Sequence, residues 1–231
     1  MTTKKLSKRL RACMTALKHC KTIADIGTDH AYLPCWGIKE GVFERAIAID
    51  VIDGPLVQAK KTIASFGLTE KIDLRKGSGL SPLKPGEVDG FLMAGMGGSL
   101  MRKLLLADLS IAKSMKYLVF VPQEGEPKLR RTLYEQQLMI IDEQLIACGG
   151  IIYTIIVAQP AKKAQVATEQ DILLGPILRM LPQAALFVQK WTHELDALAR
   201  LFEQIPPGNP KRQNVAHQMD IIKEALASDD S

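Results

Sequence analysis

Short apolar runs alternate with amphipathic stretches through the first two thirds of the chain. Most runs end at a glycine, an acidic residue or a proline, and they are too short for helices, which is typical of buried strands. They predict strands over residues 23–26, 46–49, 72–74, 88–93, 117–121, 139–146 and 151–157. Apolar residues spaced three or four positions apart predict helices over residues 4–19, 56–66, 100–106 and 128–137, with a break at Gly54-Pro55.

The alternation of strands and helices predicts a parallel sheet with right-handed crossovers. The last two strands differ, because only Gly149-Gly150 separates them. We therefore expect them to pair as an antiparallel hairpin. The predicted fold class is α/β, with a mostly parallel, Rossmann-like sheet that carries one antiparallel strand.

The pattern changes after Pro160. Two stripes at helical spacing follow, separated by Pro206-Pro207-Gly208-Asn209-Pro210, and they predict an αα-hairpin. The stripes consist of Phe187, Trp191, Leu195, Leu198, Phe202 and Ile205, then Val215, Met219, Ile222 and Leu226. We expect two domains, residues 1–160 and 161–231. The second carries eight Lys and Arg against nine Asp and Glu, so charge does not distinguish a stabilising or dimerising appendage from an RNA-contacting one.

Positive charge is concentrated at the start of the chain. The net charge is +5, yet residues 1–22 contain seven basic residues and no acid, so the remainder sums to −2. The basic residues are Lys4, Lys5, Lys8, Arg9, Arg11, Lys18 and Lys21. Such a cluster favours a polyanionic partner, while the alternative is an ordinary solvated helix face.

Composition narrows the class of protein further. Hydrophobic residues make up 47% of the chain, but no apolar run approaches the ~20 residues that span a bilayer. The basic start lacks the apolar core of a secretory signal, so we expect a cytoplasmic protein. We also expect no membrane association and no obligate protein partner. The four cysteines have no C-x-x-C spacing, which predicts free thiols and no metal site.

Four turns follow predicted strands, and in open α/β sheets ligands bind at this edge. Their small and acidic residues match the parts of S-adenosylmethionine. Gly27 would let the backbone approach the amino-acid part, Asp50 would bind the ribose hydroxyls, and Gly77–Leu80 would hold the adenine. Gly95–Gly98 would leave a floor on which a flat base reaches the sulfonium methyl. The predicted cofactor residues are Asp25, Ile26, Gly27, Asp50, Val51, Gly77, Ser78, Gly79, Leu80, Ala94, Gly95, Met96 and Gly97.

NAD is the main competing ligand, and the first turn disfavours it. The chain lacks G-x-G-x-x-G after the first strand, and Asp29 and His30 stand where the later glycines would approach the pyrophosphate. A carboxylate there would repel pyrophosphate but is compatible with a cationic sulfonium.

These motifs resemble the bacterial tRNA (adenine(22)-N1)-methyltransferases, which have a class I methyltransferase fold. The matching segments span nearly the whole chain, although Ser78 stands where the family more often has an acid. They are Leu6-Ser7-x-Arg9-Leu10, Ala24-Asp25-Ile26-Gly27-Thr28-Asp29-His30-Ala31-Tyr32-Leu33-Pro34, Ala48-Ile49-Asp50-Val51 with Gly54-Pro55-Leu56, Gly79-Leu80, Ala94-Gly95-Met96-Gly97-Gly98, Arg131 with Leu133, and Gly175-Pro176-x-Leu178.

The resemblance implies S-adenosylmethionine as cofactor, tRNA as substrate, and importance of Arg9 and Asp29 for activity. For catalysis we assign Asp29, as acceptor from the adenine N6 amine, with turn capping as its alternative. We also assign His30, which would orient Asp29 or a phosphate, or serve the structure alone. For tRNA contact we assign Arg9, Lys5, Lys8 and Tyr32, although Tyr32 also suits the core. Alternative functions are methylation of another RNA, a protein or a small molecule, and non-catalytic RNA binding.

Overall fold

The computed structural model describes residues 6–181 and 184–227. The described chain divides into two compact units, one ending at Val166 and one beginning at Ala167. We expected the boundary at residue 160, which is where the last strand of the first unit ends.

The strands of the described chain form one seven-stranded sheet in the order β3-β2-β1-β4-β5-β7-β6. Within this sheet β7 runs in the direction opposite to the other six strands, because it pairs antiparallel with both β5 and β6. The predicted mostly parallel sheet and its final hairpin are therefore confirmed. The strands are β1 Thr22–Ile26, β2 Arg45–Asp50, β3 Ile72–Lys76, β4 Gly90–Ala94, β5 Tyr117–Val121, β6 Leu138–Cys148 and β7 Ile151–Pro160.

Helices precede and connect the strands and form the second unit. Those of the first unit are α1 Lys8–Ala16, α2 Tyr32–Lys39, α3 Asp53–Ser65, α4 Gly98–Ala107, α5 Leu109–Lys113 and α6 Glu126–Glu135. Those of the second unit are α7 Glu169–Leu174, a short 3₁₀ helix at Leu178–Met180, α8 Ala185–Gln204 and α9 Pro210–Ala227. No helix within residues 6–181 and 184–227 is long and apolar enough to cross a membrane.

Several predicted helix boundaries were wrong. Helix α1 begins at Lys8 because the Ser7 hydroxyl accepts a hydrogen bond from the backbone N–H of Leu10 at 3.3 Å, as an N-cap does. The predicted first residues of this helix, 4 and 5, lie outside the described part. Gly54-Pro55 does not interrupt the helix but lies in the first turn of α3. Backbone N–H groups in the first turn have no carbonyl partner within the helix, so the missing N–H of proline costs nothing there.

Two helices were not predicted. Helix α5 follows α4 after Asp108, and the two short helices together occupy a stretch in which only the first was expected. Helix α7 is fixed by a capping box, in which the Thr168 hydroxyl accepts from the Asp171 N–H and the Asp171 carboxylate accepts from the Thr168 N–H. The two helices contain only five and six residues, which leaves little apolar periodicity to detect.

The central strands form a rigid platform for the turns that follow them. Strands β1, β4 and β5 are almost completely buried, and the Phe91 and Phe120 rings meet edge to face with centroids 5.3 Å apart. These three strands are neighbours in the sheet, so the turns at their carboxyl ends are neighbours as well.

The second unit contains the predicted pair of helices. Phe187, Trp191 and Leu198 are buried on α8, and Val215 and Ile222 are buried on α9, so both apolar stripes face inward. At the connection between the two helices, the Arg212 guanidinium carbon lies 3.8 Å from the Phe202 ring centroid. One of its nitrogens donates to the Phe202 carbonyl at 3.0 Å, which satisfies a carbonyl at the end of α8.

Candidate active site

A cavity of about 400 Å³ opens in the first unit at the carboxyl ends of β1 and β4. This size lies within the range of small-molecule and cofactor sites. Its walls combine two carboxylates, a guanidinium, an imidazole and two glycines with apolar side chains. The lining residues are Arg9, Leu10, Asp25, Gly27, Thr28, Asp29, His30, Tyr32, Leu33, Leu92, Ala94, Gly95 and Gln123.

The turn after β1, residues 27–31 (the β1 turn), has an unusual backbone. Gly27 has a φ of +72°, and two non-glycine residues are also left-handed, Asp29 at +54° and Ala31 at +53°. Backbone strain of this kind persists only where the surrounding structure enforces it. Here the N–H groups of Gly27 and Thr28 both donate to the Ile49 carbonyl, at 2.8 and 3.0 Å. The turn is thereby fastened to β2.

Asp25 lies at the base of this turn and is buried against the cavity. Its carboxylate accepts a hydrogen bond from the Thr28 hydroxyl at 2.7 Å. Burial raises the pKa of Asp25 from 3.8 to about 6; the Thr28 hydrogen bond partly opposes this rise, whereas the carboxylates of Asp50 and Asp29 add to it. A cation beside Asp25 would stabilise the ionised carboxylate and so offset the free-energy cost of burying its charge.

Asp50 braces the β1 turn from the end of β2. One of its carboxylate oxygens accepts from the Asp29 N–H at 3.2 Å, and the other accepts from the Ile52 N–H at 3.1 Å. Each oxygen retains a second lone pair, so the predicted bond to a ribose hydroxyl stays available. Asp50 does not line the cavity, and this assignment stays a prediction.

His30 and Tyr32 line the cavity beside Asp29. The His30 Nε2 lies 3.5 Å from an Asp29 carboxylate oxygen, and the imidazole and phenol rings are 5.7 Å apart. The His30 Nδ1 is buried and has no hydrogen-bond partner in the described chain. This arrangement favours an orienting role toward Asp29 over a structural bond to the backbone, and Tyr32 is only half-buried.

Arg9 lies in the cavity wall and not on the outer face of α1. Its guanidinium carbon is 4.8 Å from the centroid of the Tyr153 ring, a cation–π distance. Lys8 is exposed, and Lys5 lies outside the described residues. The basic cluster is partly neutralised, because Arg11 pairs with Glu40 at 2.9 Å and Lys21 with Glu44 at 3.2 Å.

The turn after β4, residues 95–97 (the β4 turn), supplies the open floor. Gly95 has a φ of +78°, and a Cβ at this position would have no atom within 4 Å, so the backbone here borders free space. A Cβ on Gly98 would lie 2.5 Å from the Gly125 carbonyl oxygen, which makes glycine obligatory for the approach of the next turn. Ala94 and Gly95 line the cavity, while Met96 packs beside Gly27 and Gly97 caps α4.

The turn after β3, residues 77–83 (the β3 turn), does not line this cavity. A Cβ on Gly77 would lie 2.3 Å from Pro82 Cγ, and one on Gly79 would lie 3.0 Å from Leu104 Cδ2. Leu80 is fully buried, whereas Ser78 is exposed. The glycines of this turn are thus explained by close packing, and their predicted contact with adenine stays a prediction.

The two remaining cofactor assignments have contrasting environments. Ile26 is buried at the end of β1, so only its backbone could meet a ligand. Val51 is 58% exposed directly after Asp50, and an apolar side chain at this position suits a flat apolar partner.

The sequence reasoning missed Gln123 and Thr28. Thr28 hydrogen-bonds Asp25, and Gln123 follows β5 after Pro122 and lines the cavity. A polar residue directly after a predicted strand was the signal used for Asp50, and extending that signal by one residue past Pro122 would have found Gln123. The apolar members of the lining, Leu10, Leu33 and Leu92, carry no such signal.

Comparison with known proteins gives one consistent result. The family model of TrmK, tRNA (adenine(22)-N(1))-methyltransferase, matches residues 23–229. The tRNA (adenine(22)-N(1))-methyltransferase of Bacillus subtilis (strain 168) is 33% identical over 232 residues, covering 96% of this chain and 97% of that protein.

Solved structures agree with this assignment. A Streptococcus pneumoniae protein in complex with S-adenosyl-L-methionine is 30% identical with a TM-score of 0.87, over 96% of this chain and 100% of that one. M. capricolum TrmK in complex with S-adenosyl-homocysteine is 25% identical with a TM-score of 0.85, over 96% of this chain and 97% of that one. The chain belongs to the tRNA (adenine(22)-N(1))-methyltransferase family.

Proposed function

We propose that this protein transfers a methyl group from S-adenosylmethionine to N1 of adenosine 22 in tRNA. One observation carries the proposal in a chain of this family: a single cavity brings together buried Asp25, exposed Asp29 and the open backbone of Gly95. An acidic, glycine-floored cavity at the carboxyl edge of the sheet suits a cationic nucleoside ligand next to a flat base.

The residues present fit S-adenosylmethionine. Asp25 is a buried carboxylate that a ligand ammonium would stabilise, and Gly27 leaves room for the backbone of the β1 turn to face the ligand. Asp50 ends β2 and Val51 follows it, where ribose hydroxyls and a purine face would find an acceptor and an apolar contact. When bound, S-adenosylmethionine supplies a methyl group that the adenine N1 lone pair takes, leaving S-adenosylhomocysteine and a cationic 1-methyladenine.

Asp29 has the main chemical role among the residues of the chain. Its backbone N–H is held by Asp50, so its side chain projects from a fixed left-handed position and is 67% exposed. There it accepts a hydrogen bond from the adenine N6 amine and stabilises the positive charge that develops on the ring. His30, 3.5 Å away, keeps this carboxylate oriented. No strong base is needed, since N1 carries a free lone pair and orientation supplies most of the rate.

The substrate must reach the cavity as an unpaired base, because pairing covers N1 in a duplex. Lys8 on the exposed face of α1, together with Lys5, would attract the phosphates near the cavity, and Arg9 would meet a phosphate only at the cavity itself. Tyr32, half-buried at the cavity wall, would stack on a base. We place this activity in the cytoplasm.

The decisive experiment supplies methyl-labelled S-adenosylmethionine and unmodified bulk tRNA to the protein. We expect label in 1-methyladenosine, mapped to position 22 by nuclease digestion and mass spectrometry. A tRNA transcript with guanosine at this position serves as the control and should stay unlabelled. Absence of transfer to any tRNA, or methylation of another atom, would refute the proposal.

A further inference from the structure

We infer that Gln123 binds the N6 and N7 atoms of the target adenine and so turns N1 toward the methyl group. The inference rests on the proposed function. It begins from the strand order, in which β4 lies between β1 and β5 and all three are parallel. The β4 turn is therefore flanked by the β1 turn on one side and by residues 122–125 (the β5 turn) on the other.

Three backbone hydrogen bonds fasten the end of β5 and the β5 turn to the β4 turn and the start of α4. The Gln123 N–H donates to the Met96 carbonyl at 3.0 Å, next to the cavity-lining Gly95. The Gly95 N–H donates to the Val121 carbonyl at 3.3 Å, and the Gly98 N–H donates to the Glu124 carbonyl at 2.8 Å. The backbone of Gln123 is thus held in place directly beside the glycine floor.

The Gln123 side chain is free to bind a ligand. It is exposed, it lines the cavity, and its carboxamide makes no hydrogen bond within the described part of the chain. A carboxamide offers one acceptor and two donors. A base lying on the floor of Gly95 would thus have the Asp29 carboxylate on one side and the Gln123 carboxamide on the other.

The chemistry of the reaction selects the atoms that these two groups can contact. N1 must stay free to take the methyl group, so recognition has to use the neighbouring N6 amine and the N7 nitrogen. A glutamine carboxamide matches that edge, since its oxygen accepts from N6–H while its NH₂ donates to N7. The N6 amine has two hydrogens, and the one beside N1 remains for Asp29. The two side chains therefore bind adenine without competing.

The test crosses an enzyme change with a substrate change. A ligated tRNA carries either adenosine or 7-deazaadenosine at position 22, the latter lacking the N7 acceptor, and kcat/KM is measured for wild type and Gln123→Leu. We expect wild type to lose about tenfold on the deaza substrate. Gln123→Leu should lose about ten- to a hundredfold on adenosine and show no further loss on the deaza substrate.

Two controls separate the possible failures. Gln136→Leu makes the same chemical change at the far end of α6 and should leave kcat/KM unchanged, while S-adenosylmethionine affinity and Tm report on folding. Full activity of Gln123→Leu, or losses that simply multiply, would overturn the inference while the proposed function stands. If wild type fails to methylate the adenosine substrate, the proposed function itself is wrong.

Discussion

The β1 and β3 turns invite comparison, because both follow parallel strands at the same edge of the sheet and both contain glycine. In the β1 turn, left-handed backbone is imposed on Asp29 and Ala31, and the polar groups line the cavity. In the β3 turn, Gly77 makes room for Pro82 of the same turn, and Gly79 makes room for Leu104 of α4. A glycine after a strand is therefore not sufficient to indicate a site, and the left-handed backbone of Asp29 and Ala31 is what distinguishes the β1 turn from the β3 turn.

The largest effect should come from Asp29→Asn, which removes only the charge of the β1 turn. Asparagine tolerates the left-handed backbone and leaves the Asp29 N–H bond to Asp50 intact, so Tm should stay close to wild type. Loss of one group that stabilises charge in the transition state typically costs about 10²-fold in kcat, and we expect that loss here. Full turnover with intact cofactor binding would show that Asp29 only caps the turn.

Asp25→Asn should separate stability from function. In the folded protein the pKa of Asp25 is raised to about 6. Between about pH 4 and pH 6 the Asp25 carboxyl is therefore protonated in the folded protein but ionised in the unfolded chain. The free energy of unfolding therefore falls as pH rises through this window. Asparagine cannot ionise, so near pH 7 the variant should be more stable than wild type by about 3 kcal/mol.

The same variant should bind the cofactor about ten- to a hundredfold more weakly, because the neutral amide replaces an ionic partner of the ligand ammonium. Thermal unfolding from pH 4 to pH 8 and calorimetric titration of S-adenosylmethionine measure the two effects. A variant that is stabilised yet binds normally would mean that Asp25 faces no cation in the complex.

Gly77→Ala tests whether the β3 turn contributes to packing rather than to cofactor binding. The added Cβ would lie 2.3 Å from Pro82 Cγ, so the ring or the backbone must shift. We expect a loss of about 1–3 kcal/mol in the free energy of unfolding, typical of overpacking, with the KM for S-adenosylmethionine unchanged well below Tm. Gly54→Ala, where a Cβ meets no atom within 4 Å, is the matched control and should not destabilise. A higher KM for S-adenosylmethionine without loss of stability would instead show that Gly77 contributes to cofactor binding.

The contrast also explains how far sequence reasoning could reach. Short apolar runs locate all seven strands of the described sheet, and acidic residues within or just after the strand ends locate Asp25, Asp29 and Asp50. These signals are local. The packing of Gly79 on Leu104 joins positions far apart in sequence, and no local pattern separates it from a ligand-binding glycine.

Other features depend on the assembled edge of the sheet. The raised pKa of Asp25 arises from burial and, to a smaller extent, from the carboxylates of Asp50 on β2 and Asp29 in the β1 turn, and the place of Gln123 in the cavity depends on the order of β1, β4 and β5. Arg9 was assigned from its charge and from the family resemblance, but neither indicated its contact with the Tyr153 ring, which lies on a strand far along the chain.

The smallest effect should come from Glu87→Gln, which loosens the brace behind the β3 turn. Arg75 donates to both Glu87 carboxylate oxygens, at 2.9 and 2.6 Å, and to the Pro82 carbonyl at 2.8 Å. The Arg75 hydrogen bonds hold the pKa of Glu87 down at about 2, so the pair stabilises the fold above about pH 4.5, and this contribution is lost as pH falls toward 2. Because both side chains are partly solvated, we expect the variant to lose only about 1–2 kcal/mol at pH 7.

That loss should shrink progressively between pH 4.5 and pH 2 in urea unfolding, since wild-type Glu87 is then protonated in the unfolded chain. The kcat on tRNA and the cofactor affinity should match wild type, because the brace supports packing and not the cavity. Glu44→Gln is the matched control, because Glu44 forms an exposed ion pair with Lys21. Its removal should lower the free energy of unfolding by less than Glu87→Gln does. Weaker cofactor binding in Glu87→Gln would mean that the β3 turn must be held in position for the ligand, and the two turns would then serve one site.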